Sequence, residues 1–202
     1  MSDFFLELFT EEIPASLQSS ARENLSKGFK LFFDEQNIEY SANAKSVSTP
    51  NRLVLYFKNI KKEILIKSDE IRGPSVTAPQ KALIGFSKFN ETSINNLYKK
   101  KTEKGEFYFY KKPAKKVKTI DILNKNIPLI LEKLKWEKSM KWGEFNLYWG
   151  RPLKSILAVF DSQPLNFKFH HLTSSDKTFI SKDFEEKTKS FKNFNSYSLF
   201  FK

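Results

Sequence analysis

In the stretch LFTEEIPA the carboxylates of Glu11 and Glu12 stand side by side just ahead of Ile13 and Pro14. Paired carboxylates can work as an acid/base couple, hold a metal, or mark the entrance of a helix. An acid/base couple needs two carboxyl groups aimed at one substrate, whereas neighbours at a strand end point to opposite sides. Pro14 has the fixed backbone angle of a first helical turn, and negative charge ahead of a helix is favoured by about 0.3–1 kcal/mol. Glu11, Glu12 and Pro14 are therefore read as structural, with an ion pair to an arginine as the alternative. The only imidazoles, His170 and His171, are consecutive in an expected strand and so face opposite ways. With no cysteine in the chain, no metal site is assigned. None of GxxxxGK, GxGxxG, HExxH or GxSxG occurs, and no residue is given a catalytic role.

The basic residues say more. The 202 residues carry a net charge of +12, which draws polyanions, nucleic acid above all. Part of the excess is lysine of the kind an A/T-rich genome supplies. Only Arg22, Arg52, Arg72 and Arg151 are arginine, and the last three sit in the turn-flanked stretches STPNRL, IRGPS and WGRPL. A planar guanidinium grips phosphate or carboxylate through two bonds where lysine offers a point charge. Arg52, Arg72 and Arg151 are candidate contacts to RNA or a protein partner, and bracing of their own turns is the competing role. In KKKTEKGEFYFYKK the segment Glu103-Lys104-Gly105 reads as the turn of a hairpin. Its alternating Phe107, Tyr108, Phe109 and Tyr110 beside lysines suit either a core-facing stripe with a solvated edge or a platform for single-stranded nucleic acid.

These residues need elements to hold them. Phe4 to Phe9 is an apolar run of strand length. Leu17, Ala21, Leu25, Gly28, Phe29, Phe32 and Phe33 then recur at helical spacing, predicting a long amphipathic helix that ends near Gln36. A turn at 48–51 leads into a strand over 52–57 that is expected to pair with one over 63–67. Gly73 and Pro74 are expected to punctuate the chain sharply, with Arg72 beside them. Two short helices are predicted over 81–89 and 93–98, and a helix over 119–135 with a kink or restart at Pro128. Lys138 to Gly143, including Lys141 and Trp142, reads as a loop, followed by a strand at 145–149, a second apolar segment at 156–160 and a strand at 165–172. The fold class is α+β, with mixed or antiparallel sheets and packed helices. No linker divides residues 1–175, and 176–202 lacks sustained periodicity and is expected to be a poorly ordered tail. No apolar run is long enough to cross a bilayer, and a cytoplasmic protein without membrane partners is expected.

Taken in order, LELFTEEIPA, STPNRLVLY, IRGPS, KALIGFSK, KGEFYFY, KSMKWG and RPLKSILAVF resemble the N-terminal portion of the beta subunit of bacterial heterotetrameric glycyl-tRNA synthetase. The resemblance covers about residues 3 to 172. Arg52 stands at the second basic residue of the family's TPRRL-like stretch, Arg72, Gly73 and Pro74 on its RGP, and Lys141, Trp142 and Gly143 on its MRWG-like segment. Arg151 and Pro152 stand on the RP of RPIRW, with Lys154 at the second arginine of that motif. The resemblance implies an α2β2 enzyme whose alpha subunit activates glycine with ATP and Mg, while the beta subunit contacts tRNA(Gly) and the alpha subunit. No cofactor is expected on this chain. Arg52, Arg72, Lys141, Trp142 and Arg151 are the implied tRNA or subunit contacts, and Glu11, Glu12, Pro14, Gly73, Pro74, Gly143 and Pro152 the structural residues. The family's later domains have no counterpart here, so a truncation or reading-frame break near Phe179 is expected, and with it no tRNA charging by the chain alone. The alternatives are a free-standing RNA-binding module and a nonfunctional remnant.

Overall fold

The computed structural model describes residues 1–41, 44–66, 68–142, 144, 146–181 and 187–201; Lys67 and Gly143, both part of the expectations above, lie outside the described residues. In chain order the elements are β1 (Ser2–Thr10), α1 (Ala15–Glu35), β2 (Lys45–Thr49), β3 (Arg52–Ile60) and β4 (Glu63–Ile66). Next come β5 (Asp69–Ser75), α2 (Gln80–Phe89), β6 (Leu97–Thr102), β7 (Gly105–Lys112), β8 (Lys115–Lys118) and α3 (Thr119–Glu132). The remainder is β9 (Met140–Lys141), β10 (Tyr148–Trp149), β11 (Leu153–Phe160), β12 (Gln163–Pro164), β13 (Lys168–Phe169), β14 (Leu172–Thr173), β15 (Lys177–Phe179), β16 (Thr188–Ser190) and α4 (Phe194–Phe200). The class is α+β, and the named strand pairs are antiparallel.

Two compact units share the chain: Met1–Ile64 with Lys118–Lys202, and Leu65–Val117. The first is built on a five-stranded sheet in the order β12-β11-β1-β3-β2. Its central strand, FFLELF within β1, does not alternate between apolar and polar residues, because both of its faces are covered. Phe4 faces α1, where it stacks on Phe29 at 5.3 Å and meets Phe33 edge-on at 6.3 Å. The 21-residue helix α1 buries Leu17, Ala21, Leu25, Phe29, Phe32 and Phe33, as its spacing predicts. Phe5 and Phe9 face the other way, toward the C-terminal segment, with Phe5 4.8 Å from Tyr197 and Phe9 5.2 Å from Phe179 between ring centres. On that side Phe5, Val54, Tyr56, Leu157 and Val159 close over Phe191 and Tyr197, with Phe194 and Phe201 against them.

The second unit is a three-stranded sheet, β5-β7-β6, with α2 against it. Its RGP stretch lies inside β5, where the register against β7 slips between Arg72 and Ser75. Two residues, Gly73 and Pro74, thus occupy a bulge, a place where a strand tolerates both. A side chain at Gly73 would stand 2.9 Å from the Phe86 ring of α2 and 3.0 Å from the Tyr108 carbonyl, so glycine is what lets helix and sheet meet.

Several expectations are corrected. Beyond Asp176 the described residues are ordered: β15 pairs with β16, α4 is capped by the Asn193 side chain accepting from the Ser196 amide at 2.8 Å, and Phe191 and Tyr197 are buried. Scattered aromatics concealed this, because they cap a sheet face one by one and need no period. Two units stand where one undivided region was expected; the chain leaves the first within β4 and returns to it within β8, two strands that pair with each other. For the same reason β3 pairs with β1 and β2 and not with β4. Residues 93–98 form only a short 3-10 turn, Ile94–Asn96, before β6 begins. Helix α3 runs through Pro128 without restarting. Residues 165–172 do not form one strand: Phe169 pairs with Leu172 across a turn in which His170 has a positive φ of 50°.

Gly150 carries a packing requirement of the first unit. A Cβ there would lie 2.2 Å from Cε3 of Trp136, whose ring sits 5.3 Å from that of Trp149. Gly150→Ala should lower stability by about 1–3 kcal/mol, read as a lower urea midpoint with an unchanged slope.

Candidate functional site

The motif residues fall into three places. The first is the core of the sheet. Arg52, at the start of β3, is 7% exposed, and its Nη1 donates to Glu7 Oε2 at 2.9 Å and to Thr178 Oγ1 at 3.1 Å. Nη2 donates to the carbonyls of Phe179 at 2.6 Å and Ile180 at 3.3 Å. The guanidinium lies between the rings of Phe9 and Phe201, 4.6 and 4.3 Å from their centres. Glu7 is fully buried in the middle of β1 and also accepts hydrogen bonds from the Thr178 and Tyr197 hydroxyls. Burial pushes the Glu7 carboxyl above its usual range, and Arg52 with the two hydroxyls offsets that only in part. Burial, followed by the charge of Glu7, raises the Tyr197 phenol as well. Arg52 was singled out as a contact to RNA or a partner, and the structure commits its guanidinium to the protein's own interior.

The second place is the end of the same sheet, where three motifs are spliced by backbone hydrogen bonds. The Thr10 amide donates to Asn51 O at 2.9 Å, Glu11 to Pro152 O at 2.9 Å, and Ile13 to Pro50 O at 2.6 Å. Glu11, Glu12, Pro14, Trp142, Arg151 and Pro152 line one open cleft of about 450 Å³. Thus LFTEEIPA, KSMKWG and WGRPL, far apart in sequence, form one surface. Trp142 is fixed by donating its Nε1 to Trp149 O at 2.8 Å, and Lys141 lies exposed in β9 beside it. Arg151 is half-buried, and its Nε is a buried donor without an acceptor among the described residues. Glu11 and Glu12 stand ahead of α1, which begins at Ala15 after Pro14 and carries no acidic residue in its own first turn. Glu11 pairs at 2.6 Å with Lys154, and not with one of the arginines. The cleft mixes carboxylates, a guanidinium and an indole, which suits polar recognition.

The third place is the small unit. From Leu65 to Val117 there are twelve lysines and arginines against five acidic residues, a net +7 of the chain's +12 in 53 residues. Arg72 is exposed there, with its guanidinium 3.6 Å from the centre of the Phe107 ring. No group of three or more His, Cys, Asp and Glu side chains suited to a metal occurs among the described residues, and His170 Nε2 lies 2.8 Å from Glu132 Oε2. No described helix is long and apolar enough to cross a membrane.

By sequence the chain falls among the subunits of aminoacyl-tRNA synthetases. It belongs to the glycyl-tRNA synthetase beta subunit family, whose model matches residues 4–201. The glycine–tRNA ligase beta subunit of Rickettsia bellii is 40% identical over 179 residues, and that of Rickettsia prowazekii 38% identical over 179, each covering 89% of this chain. The one from Rickettsia canadensis is 35% identical over 197 residues, or 98% of the chain. The chain spans 27% to 29% of the length of these curated relatives. The family match runs past Phe179, where a frame break was expected, to residue 201.

Removing one partner of the buried pair should be costly and removing both charges less so. Arg52→Met should lose about 3–5 kcal/mol of unfolding free energy, and the double variant Glu7→Gln with Arg52→Met should lose less than the single one. In Arg52→Met the buried Glu7 keeps a folded pKa above its unfolded value of about 4.3. The folded state then binds the extra proton. Stability from Glu7 should be full below the unfolded pKa and be lost as pH rises through the folded one. Denaturant melts across pH check the sign.

Proposed function

We propose that the chain supplies tRNA and subunit contacts to a glycine–tRNA ligase, as the N-terminal part of its beta subunit. The observation that carries the reading is the family match over 4–201, reinforced by relatives whose names specify that subunit. The alpha subunit then holds the bond-making site, with ATP and Mg bound there, and this chain contributes no bond-making residue. tRNA(Gly) is the RNA partner, an α2β2 tetramer the assembly, and the cytoplasm, where translation runs, the location.

The concentration of +7 within Leu65–Val117 supports RNA contact by that unit. The cleft lined by Glu11, Glu12, Trp142 and Arg151 carries both charge signs, which suits a protein partner better than a phosphate backbone. The two sites divide the labour: lysine-rich sheet for RNA, mixed cleft for the alpha subunit.

The test mixes the full chain with the alpha subunit and, separately, with tRNA(Gly). Co-elution with alpha and salt-sensitive binding of tRNA are expected. Three to five phosphate contacts would give a slope of log K against log salt of about −2 to −4. Arg151→Ala should lower co-elution with alpha and leave the melting temperature and the tRNA affinity unchanged. Binding of tRNA without any affinity for alpha would favour a free-standing RNA-binding module, and binding of neither would overturn the reading.

A further inference from the structure

The sheet of the small unit has two unlike faces, and the register separates them. Residues paired across antiparallel strands share a face, so Arg72, Phe109 and Tyr98 lie together, as do Ser75, Phe107 and Lys100, and Glu70 with Lys111. Gly73 points to the opposite face, against Phe86 of α2. Helix α2 therefore covers the side away from Arg72. On the uncovered side Arg72, Lys100 and Lys111 are exposed and Tyr98 is 37% exposed.

This face is built in layers. Phe109 is buried beside Tyr98, its cross-strand neighbour, with ring centres 6.2 Å apart and planes 29° from parallel, and the Lys100 ammonium lies 5.2 Å from its ring centre. Phe107 carries the Arg72 guanidinium at 3.6 Å, the separation of two flat groups in contact. One side of that guanidinium rests on the ring, and because Arg72 is exposed the other is open. Among the described residues no carboxylate or carbonyl accepts from its N–H groups. Glu70 is the acidic residue of this face, and it is engaged by the Tyr98 hydroxyl and the Lys100 ammonium. The contacts hold Tyr98 and Lys100 in place; Lys111 lies across from the same carboxylate, and Arg72 is the cation of this face that Glu70 does not engage.

We propose that this face binds an unpaired RNA segment, with one base stacked on the outer side of the Arg72 guanidinium, a second on Tyr98, and the intervening phosphates near Lys100 and Lys111. Arginine planes and aromatic rings hold the faces of unstacked bases, and lysines beside them track the backbone. A duplex hides its base faces and would engage only the lysines. The proposal rests on the RNA-binding reading above and narrows it to unpaired nucleotides on one face of one unit.

The experiment measures anisotropy of a fluorescein-labelled unstructured RNA 12-mer and of the blunt duplex of the same sequence, with the full 202-residue chain. At near-physiological salt the single strand should bind at least fivefold more tightly. Arg72→Lys keeps the charge and removes the plane, and should weaken the single strand at least fivefold while leaving the duplex within twofold. Equal affinity for both RNAs, with Arg72→Lys silent, overturns the platform but leaves RNA binding standing; failure to bind either RNA at low salt overturns both. Displacement of the single strand by polyglutamate as readily as by unlabelled RNA would mark the face as an acidic-peptide site and overturn the proposal. Ultraviolet cross-linking of the wild-type chain needs no variant: adducts on the peptides holding Tyr98 and Phe107 are expected, and adducts confined to other peptides overturn it.

Discussion

A carboxylate in the middle of a fully buried strand constrains the rest of this fold. Glu7 sits between Phe5 and Phe9 on a face of β1 that is sealed from water, and an unpaired charge there would cost several kcal/mol. Its partners come from both ends of the sequence: Arg52 from the next strand, Thr178 and Tyr197 from the C-terminal segment. That segment has to fold over the sheet for Glu7 to be satisfied, and Phe191, Phe194 and Phe201 are the apolar surface that fixes it there. A pair of this kind adds little net stability compared with apolar residues of the same size. It does admit one arrangement of the C-terminal segment and penalises others, which is how a buried charge specifies structure.

The same sheet explains why motifs distant in sequence lie side by side. β1, β3 and β11 are neighbours, so the stretches at their ends, LFTEEIPA, STPNRL and WGRPL, emerge at one end of the sheet and exchange backbone hydrogen bonds. Glu11 then meets Lys154 across that splice. The motifs are local signs of a junction; a mixed-charge cleft opens there, and a separate cationic sheet lies in the inserted unit.

What was legible in the sequence was whatever repeats with a period. The spacing from Leu17 to Phe33 gave α1, alternation from Phe107 to Tyr110 gave the hairpin, and the apolar run around Val54 gave β3. Pairing between strands was not legible, since it depends on contacts between stretches distant in sequence, and β8, about fifty residues on, takes the place next to β4 that β3 was expected to fill. The C-terminal segment was missed because single aromatics seated in a sheet face leave no period. A signal was present all the same: an unbroken apolar strand with a glutamate inside it demands cover on both sides. For the candidate sites, arginine content pointed to the right residues but not to their surroundings. Arg52 and Arg72 look alike in sequence, flanked by turn residues, yet one is walled in by Glu7 and two aromatic rings and the other lies flat on Phe107 with a face to solvent.

The hydrogen bond between Tyr197 and Glu7 spans 190 positions. During synthesis at roughly 5–20 residues per second, Glu7 waits about 10–40 s for that hydroxyl to be made. Until then one face of β1 is bare, with Phe5, Phe9 and Arg52 beside an uncovered carboxylate. The nascent sheet can close on α1 early, but its other side has to be shielded by the ribosome, a chaperone or hydration until the final aromatics arrive. The order of translation thus makes the second face of the sheet the last part of the first unit to become native.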